Sequence, residues 1–153
     1  MSPLKPDTMR LRAEAAADYD IISACLQDAL MPLSEMAYLA DERRFVAVFD
    51  RFTWEACTPG NDPRPRFVVQ AALRFEGVSA ARLHAVDQSA TGTLLELLII
   101  VPEDGAVQLV FAGGGALRLE GDRLLCYVED LSEPRPAPVV PIHDGPVPGE
   151  KLS

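Results

Sequence analysis

The chain has 153 residues, 48% hydrophobic and 24% charged, which fits a single globular domain. Its formal net charge of −9 opposes binding to nucleic-acid phosphates and to anionic lipids. The most apolar run, residues 94–101, is far shorter than the roughly 20 residues of a membrane span. We therefore expect a cytoplasmic protein without a membrane anchor. Three widely spaced cysteines, Cys25, Cys57 and Cys126, indicate reduced thiols.

Residues 13–30 predict one amphipathic helix. Their apolar side chains recur every three or four positions and so fall on one face. Pro32 would end this helix, and Asp18 is a candidate cap for a shorter version of it.

From residue 36 onward, apolar side chains mostly alternate with polar ones, which predicts strands. Residues 123–131 fit both strand and helix spacing, and we favour a strand. Asp50 interrupts the apolar face of its strand, which predicts a bulge or a strand bend near it. Gly121 and Asp122 have the composition of a tight hairpin turn. The other predicted strands cover residues 9–12, 36–39, 44–55, 67–76, 78–86, 94–101, 106–112 and 116–120.

Together these elements predict an α+β domain over residues 9–131. One N-terminal helix would pack on a curved antiparallel sheet of about seven strands. In shape this half-barrel resembles a pleckstrin-homology layout, although the helix stands at the other end of the chain. Residues 132–153 hold six of the 13 prolines, which predicts an extended or disordered tail.

The three glycines of residues 113–115 are the most visible motif. A phosphate-binding loop would lead into a helix and would carry a lysine, whereas this run leads into a strand-like segment without one. We therefore predict a chain reversal between two strands.

No pattern in the sequence predicts a catalytic, metal or cofactor site. His84 and His143 have no cysteine or carboxylate at metal-ligand spacing. No cation cluster near the cysteines would activate a thiol. Glu96 lies inside an apolar strand, and we expect it either to face solvent or to pair with a buried arginine such as Arg118.

Two groups of residues are candidates for binding. Arg43, Arg44 and Arg51 with Trp54 place the residue types that anchor interfaces on one strand region. If the helix and the sheet enclose a pocket instead, its candidate lining residues are Arg74, His84, Glu96 and Arg118.

Several short segments resemble an uncharacterised family of bacterial proteins, DUF2948, found mainly in alphaproteobacteria. They are residues 26–29, 42–45, 51–55, 111–119 and 129–131, and the stretch at 111–119 is the most specific. The resemblance implies a cytoplasmic bacterial protein and supplies no activity and no site residues.

The first functional hypothesis is a non-enzymatic module that holds a protein or a peptide by the face or the edge of its sheet. The alternative is a small-ligand-binding protein or a minor enzyme with a pocket between helix and sheet. A homodimer formed through a strand edge is a third hypothesis.

Overall fold

A computed structural model describes residues 9–53, 67–89 and 92–136. Within these residues one helix packs on one antiparallel sheet of eleven strands, with two short 3-10 turns at Leu33–Glu35 and Ala40–Glu42. The elements are β1 Arg10–Ala13, α1 Ala16–Cys25, β2 Leu30–Pro32, β3 Met36–Leu39, β4 Arg44–Thr53, β5 Phe67–Glu76, β6 Ala80–His84, β7 Leu94–Glu103, β8 Ala106–Phe111, β9 Ala116–Glu120, β10 Leu125–Asp130 and β11 Arg135–Pro136.

The strand order is β1-β10-β5-β4-β2-β7-β8-β9-β6, with β3 beside β4 and β11 beside β5. The prediction of an antiparallel sheet under one helix is confirmed. The predicted number of about seven strands is too low, because the sheet has eleven. The sheet is not closed into a barrel, because β1 and β6 stand at the two ends of this order. Pairing continues past residue 131 through β11, and residues 137–153 lie outside the described part.

The helix is shorter than predicted at both ends. Its start is fixed by Asp18, whose Oδ2 accepts the backbone N–H groups of Glu14 and Ala15 at 3.0 Å. These hydrogen bonds lower the pKa of the Asp18 carboxyl. After the helix, Asp28 adopts a left-handed conformation with φ 67°, and the chain turns into β2. Leu30 therefore belongs to a strand and not to the helix.

The helix is fastened to the sheet by one polar contact and an apolar face. The Ser23 hydroxyl accepts the N–H of Ile100 at 2.9 Å and donates to the carbonyl of Ile100 at 3.2 Å. Tyr19 and Ile22 are buried, and the Tyr19 ring stacks on Phe75. The inner face of the helix is thus packed against side chains of the sheet.

Of the bulge or strand bend predicted near Asp50, the bulge is wrong. The β4–β5 register runs unbroken from Arg44 opposite Glu76 to Thr53 opposite Phe67. Asp50 lies on the less buried face of β4, so the strand needs no distortion to place it. Among the described strands the register shift lies in β7, between Leu97 and Ile99.

The glycine run connects β8 to β9, which confirms the predicted reversal. Gly113 and Gly114 have φ of 92° and 100°, values that L-residues rarely adopt. The predicted hairpin at Gly121 and Asp122 is wrong, because β9 pairs with β8 and β6 whereas β10 pairs with β5 and β1. The segment between them crosses from one half of the sheet to the other. The favoured strand interpretation of residues 123–131 is confirmed by β10.

Candidate functional site

A cleft opens where two strands face each other without pairing. Among the described residues β3 pairs with β4 alone and β6 pairs with β9 alone, so one edge of each strand faces the opening. The cavity between them, the β3–β6 cleft, has a volume of about 580 Å³. Its walls and inner end are lined by Met36, Tyr38, Phe45, Ala81, Leu83 and Leu117.

Hydrogen bonds connect chain segments that flank the β3–β6 cleft. The Tyr38 hydroxyl donates to the carbonyl of Val78 at 2.8 Å, and the Val78 N–H donates to the carbonyl of Arg43 at 2.8 Å. The Leu33 N–H donates to the carbonyl of Thr93 at 2.9 Å. These bonds fix the segments on the two sides of the opening relative to each other, so the opening belongs to the hydrogen-bonded fold.

The described residues that line the cleft carry no formal charge. Apolar side chains form most of the lining, and the polar side chains are Ser34, Tyr38, Gln88 and Thr93. A carboxylate, an imidazole or a thiol is not among them. An apolar cavity of this size with a few polar groups suits binding rather than acid–base chemistry.

The predicted arginine surface is divided between the two faces of the sheet. Arg43 is exposed at the end of a 3-10 turn with φ 53°, and Arg44 forms ion pairs with Glu42 and Glu76. Arg51 is buried, and its Nε and Nη2 atoms donate to the two Asp130 oxygens at 2.8 Å. Trp54 lies outside the described residues.

The four predicted pocket residues do not come together, and none of them lines the β3–β6 cleft. Arg74 lies 4.2 Å from the centre of the Tyr127 ring and forms an ion pair with Glu76. His84 is exposed on β6. Arg118 forms ion pairs with Glu103 and Glu120 on the outer face.

Glu96 is half-buried, and its neighbour is a carboxyl group and not the arginine of the alternative expectation. Burial, a hydrogen bond with the side chain of Asp28 and the charge of Asp28 together raise the pKa of the Glu96 carboxyl. Folding therefore disfavours the ionised form of Glu96 relative to the unfolded chain. The stabilising contribution of neutral Glu96 is complete below the unfolded pKa of about 4.3 and is lost as the pH rises through the folded pKa.

We expect Glu96→Gln to raise the melting temperature at pH 7, because glutamine removes a charge that the folded state disfavours. Near pH 4 the difference from the unaltered protein should shrink, since Glu96 itself is then largely neutral. The measurement is thermal unfolding followed by circular dichroism at both pH values, with the exposed Glu35→Gln as the control. Equal melting temperatures for both variants at pH 7 would contradict the assignment.

The described cysteines have the character of core residues. Cys126 is buried, and burial raises the pKa of its thiol, which disfavours the nucleophilic thiolate. Cys25 is half-buried on the helix, while Cys57 and His143 lie outside the described residues. The described residues contain no group of three or more potential metal ligands, and their helix is too short to cross a membrane.

Sequence reasoning missed the β3–β6 cleft although it predicted both strands that form it. Residues 36–39 and 78–86 carry a strand pattern, but a pattern does not show which edges stay unpaired. The nearest local signal is the small side chain of Ala81 on the inner face of β6. That signal is too common to identify a cavity.

Comparison of the chain with curated proteins and with solved structures gives no match. A family model, described as protein of unknown function (DUF2948), matches residues 9–143. This match spans all the described residues and confirms the resemblance of the short segments. The chain therefore belongs to the DUF2948 family.

Proposed function

We propose that this protein is a non-enzymatic binding module and that the β3–β6 cleft is its recognition site. The observation that carries the proposal is an uncharged cavity of about 580 Å³ framed by two strand edges. A few side chains buried in well-packed, desolvated pockets provide most of the binding energy at protein interfaces. The partner would insert apolar side chains from an extended segment. We place the module in the bacterial cytoplasm.

The strand edges favour a peptide over an isolated side chain as the occupant. Along β3 and β6 the backbone N–H and C=O groups point alternately to the paired neighbour and to the opening. An extended segment in the opening can bond to these groups while its side chains enter the cavity. Peptide and cavity then contribute together to the affinity.

A pair of adjacent alanines on β6 allows a matched test. Ala81 lines the cleft, whereas the neighbouring Ala80 does not, because successive side chains of a strand point to opposite faces. The full chain would be used to select binders from a displayed random-peptide library. Ala81→Phe should then weaken the selected peptides about tenfold or more, or ~1.4 kcal/mol.

Ala80→Phe is the control and should leave the affinity of the selected peptides unchanged. Circular dichroism would show whether both variants fold. Equal binding to Ala81→Phe and to the unaltered protein would contradict the proposal. A library that yielded no specific binder would also contradict the proposal.

The uncharged lining of the cleft favours a second candidate, which is binding of a small uncharged molecule. Its volume lies within the range of roughly 300–1,000 Å³ that is typical of ligand pockets. This site differs from the expected pocket between helix and sheet. An uncharged dye, Nile red, would test it: fluorescence that Ala81→Phe abolishes, without peptide binders, would favour this candidate.

The alternative partner is a second copy of this chain, bound through a strand edge. The outer edge of β1, at one end of the sheet order, is open in the described residues. An exposed edge can pair with a second copy. Light scattering over a concentration series would detect a dimer, and a monomer at all concentrations would contradict it.

A further inference from the structure

The edge of β6 that faces the β3–β6 cleft has two chemically different sides. Ala81 and Leu83 line the cleft, while Arg82 and His84 are exposed on the outer face. A strand that pairs with this edge alternates in the same way, because its side chains follow the pleat of β6. Its inner side chains would enter the apolar cavity and its outer ones would lie beside Arg82.

The charge of Arg82 is only partly compensated in the described structure. Its side chain is 68% exposed, and its Nε atom is 3.5 Å from Glu120. Glu120 is already bound by Arg118 Nε at 3.0 Å. Arg118 is also the residue opposite Arg82 in the β6–β9 register, so two like charges face each other across the strands.

We propose that the partner adds one strand to the free edge of β6 and alternates apolar side chains, which enter the cleft, with acidic side chains, which meet Arg82. This inference rests on the proposed function and specifies the partner. The opposite wall adds no charge repulsion, because β3 consists of the uncharged residues Met36, Ala37, Tyr38 and Leu39. The net charge of −9 disfavours acidic ligands at long range, so the preference must come from the local pair.

Three labelled peptides test the partner chemistry. They share the pattern Ile-X-Leu-X-Ile between short Gly-Ser flanks, and X is Glu, Gln or Lys. We expect the Glu peptide to bind about two- to fivefold more tightly than the Gln peptide, as for an exposed ion pair. The Lys peptide should bind most weakly. Equal affinities for the Glu and Gln peptides would overturn the inference.

Arg82→Gln should abolish the preference for Glu over Gln. Arg10→Gln is the matched control, since Arg10 lies on the opposite edge strand with a 73% exposed side chain and one ion pair to Glu129 at 3.2 Å. It should leave the preference intact. A second variant, Arg82→Glu, should reverse the order and favour the Lys peptide, so the test does not depend on one substitution.

The binding mode has its own readout in single N-methylations along the Glu peptide. A strand paired with β6 uses alternate N–H groups, so N-methylation should weaken binding at every second position. Loss at no position or at every position would overturn pairing with β6 alone. Ala81→Phe distinguishes the proposed cleft from the proposed acidic partner. If this variant weakens all three peptides equally and the unaltered protein shows no charge preference, peptide binding in the cleft is supported and the preference for acidic side chains is contradicted.

Discussion

Asp130→Ala is expected to lower the free energy of unfolding by roughly 3–5 kcal/mol, because it leaves the buried charge of Arg51 without a partner. The Asp130 carboxylate accepts two hydrogen bonds from Arg51 and a third, at 2.8 Å, from the N–H of Met9. Its side chain is only 2% exposed. The residue therefore ties β4, β10 and the entry to β1 together. Urea unfolding measures the loss.

Glu129→Ala is the control for Asp130→Ala because it removes an ion pair from the next position of the same strand. Glu129 pairs with Arg10 at 3.2 Å, and both side chains are at least half exposed. Exposed pairs contribute about 0–1 kcal/mol. The double variant Arg51→Met with Asp130→Leu should recover most of the loss, since it leaves no unpaired charge. Equal losses for Glu129→Ala and Asp130→Ala would contradict the account.

Gly77→Ala is expected to destabilise the protein by roughly 2–5 kcal/mol, from a positive φ and from a clash. Gly77 has φ of 85°, and a Cβ there would lie 2.5 Å from the carbonyl oxygen of Arg123. Gly121→Ala should also be costly, because its Cβ would lie 2.2 Å from the carbonyl oxygen of Gly77. Both obstacles are backbone atoms, which cannot turn aside as a side chain can.

Gly105→Ala separates the two causes. Gly105 has φ of 76° but no heavy atom within 4 Å of an added Cβ. The loss of stability in Gly105→Ala therefore comes from the positive φ alone. We expect a loss of about 1–2 kcal/mol for it in urea unfolding. A loss for Gly77→Ala no larger than that for Gly105→Ala would mean that the two backbone segments are not in close contact.

The close approach of the backbone at Gly77 and Gly121 could not be predicted from the sequence. The composition of Gly121 and Asp122 is that of a hairpin turn, and this local signal was correct about a break between strands. The reason for the glycine is a distant one: the carbonyl of Gly77 approaches it from another strand connection. A local residue pattern does not indicate a contact between residues 44 positions apart.

Strands that are buried on one face were the most predictable elements. β5 was predicted with the bounds observed, because its apolar side chains alternate without interruption. β4 was predicted as a strand, and its described part spans Arg44–Thr53. Its inner face is Phe45, Ala47, Phe49 and Arg51, and an arginine there is explained only by Asp130. β2 was missed because its first residue, Leu30, fits the helical spacing and only two residues follow it in the strand.

The predicted site residues illustrate the same limit. Arg51 was chosen for a partner surface on its residue type, and its guanidinium is engaged by a carboxylate 79 positions away. Arg82, which we now assign to partner recognition, had no distinguishing sequence signal. Its significance comes from the unpaired edge of β6 and from Arg118 opposite it.

The most direct test of the β3–β6 cleft is a titration of the isotope-labelled full chain with the Ile-Glu-Leu-Glu-Ile peptide, followed by backbone amide NMR. The account predicts that the largest shift changes fall on β3 and β6, around Tyr38 and Ala81. Changes confined to the β1 edge, or to the surface around Arg43 and Arg44, would contradict it.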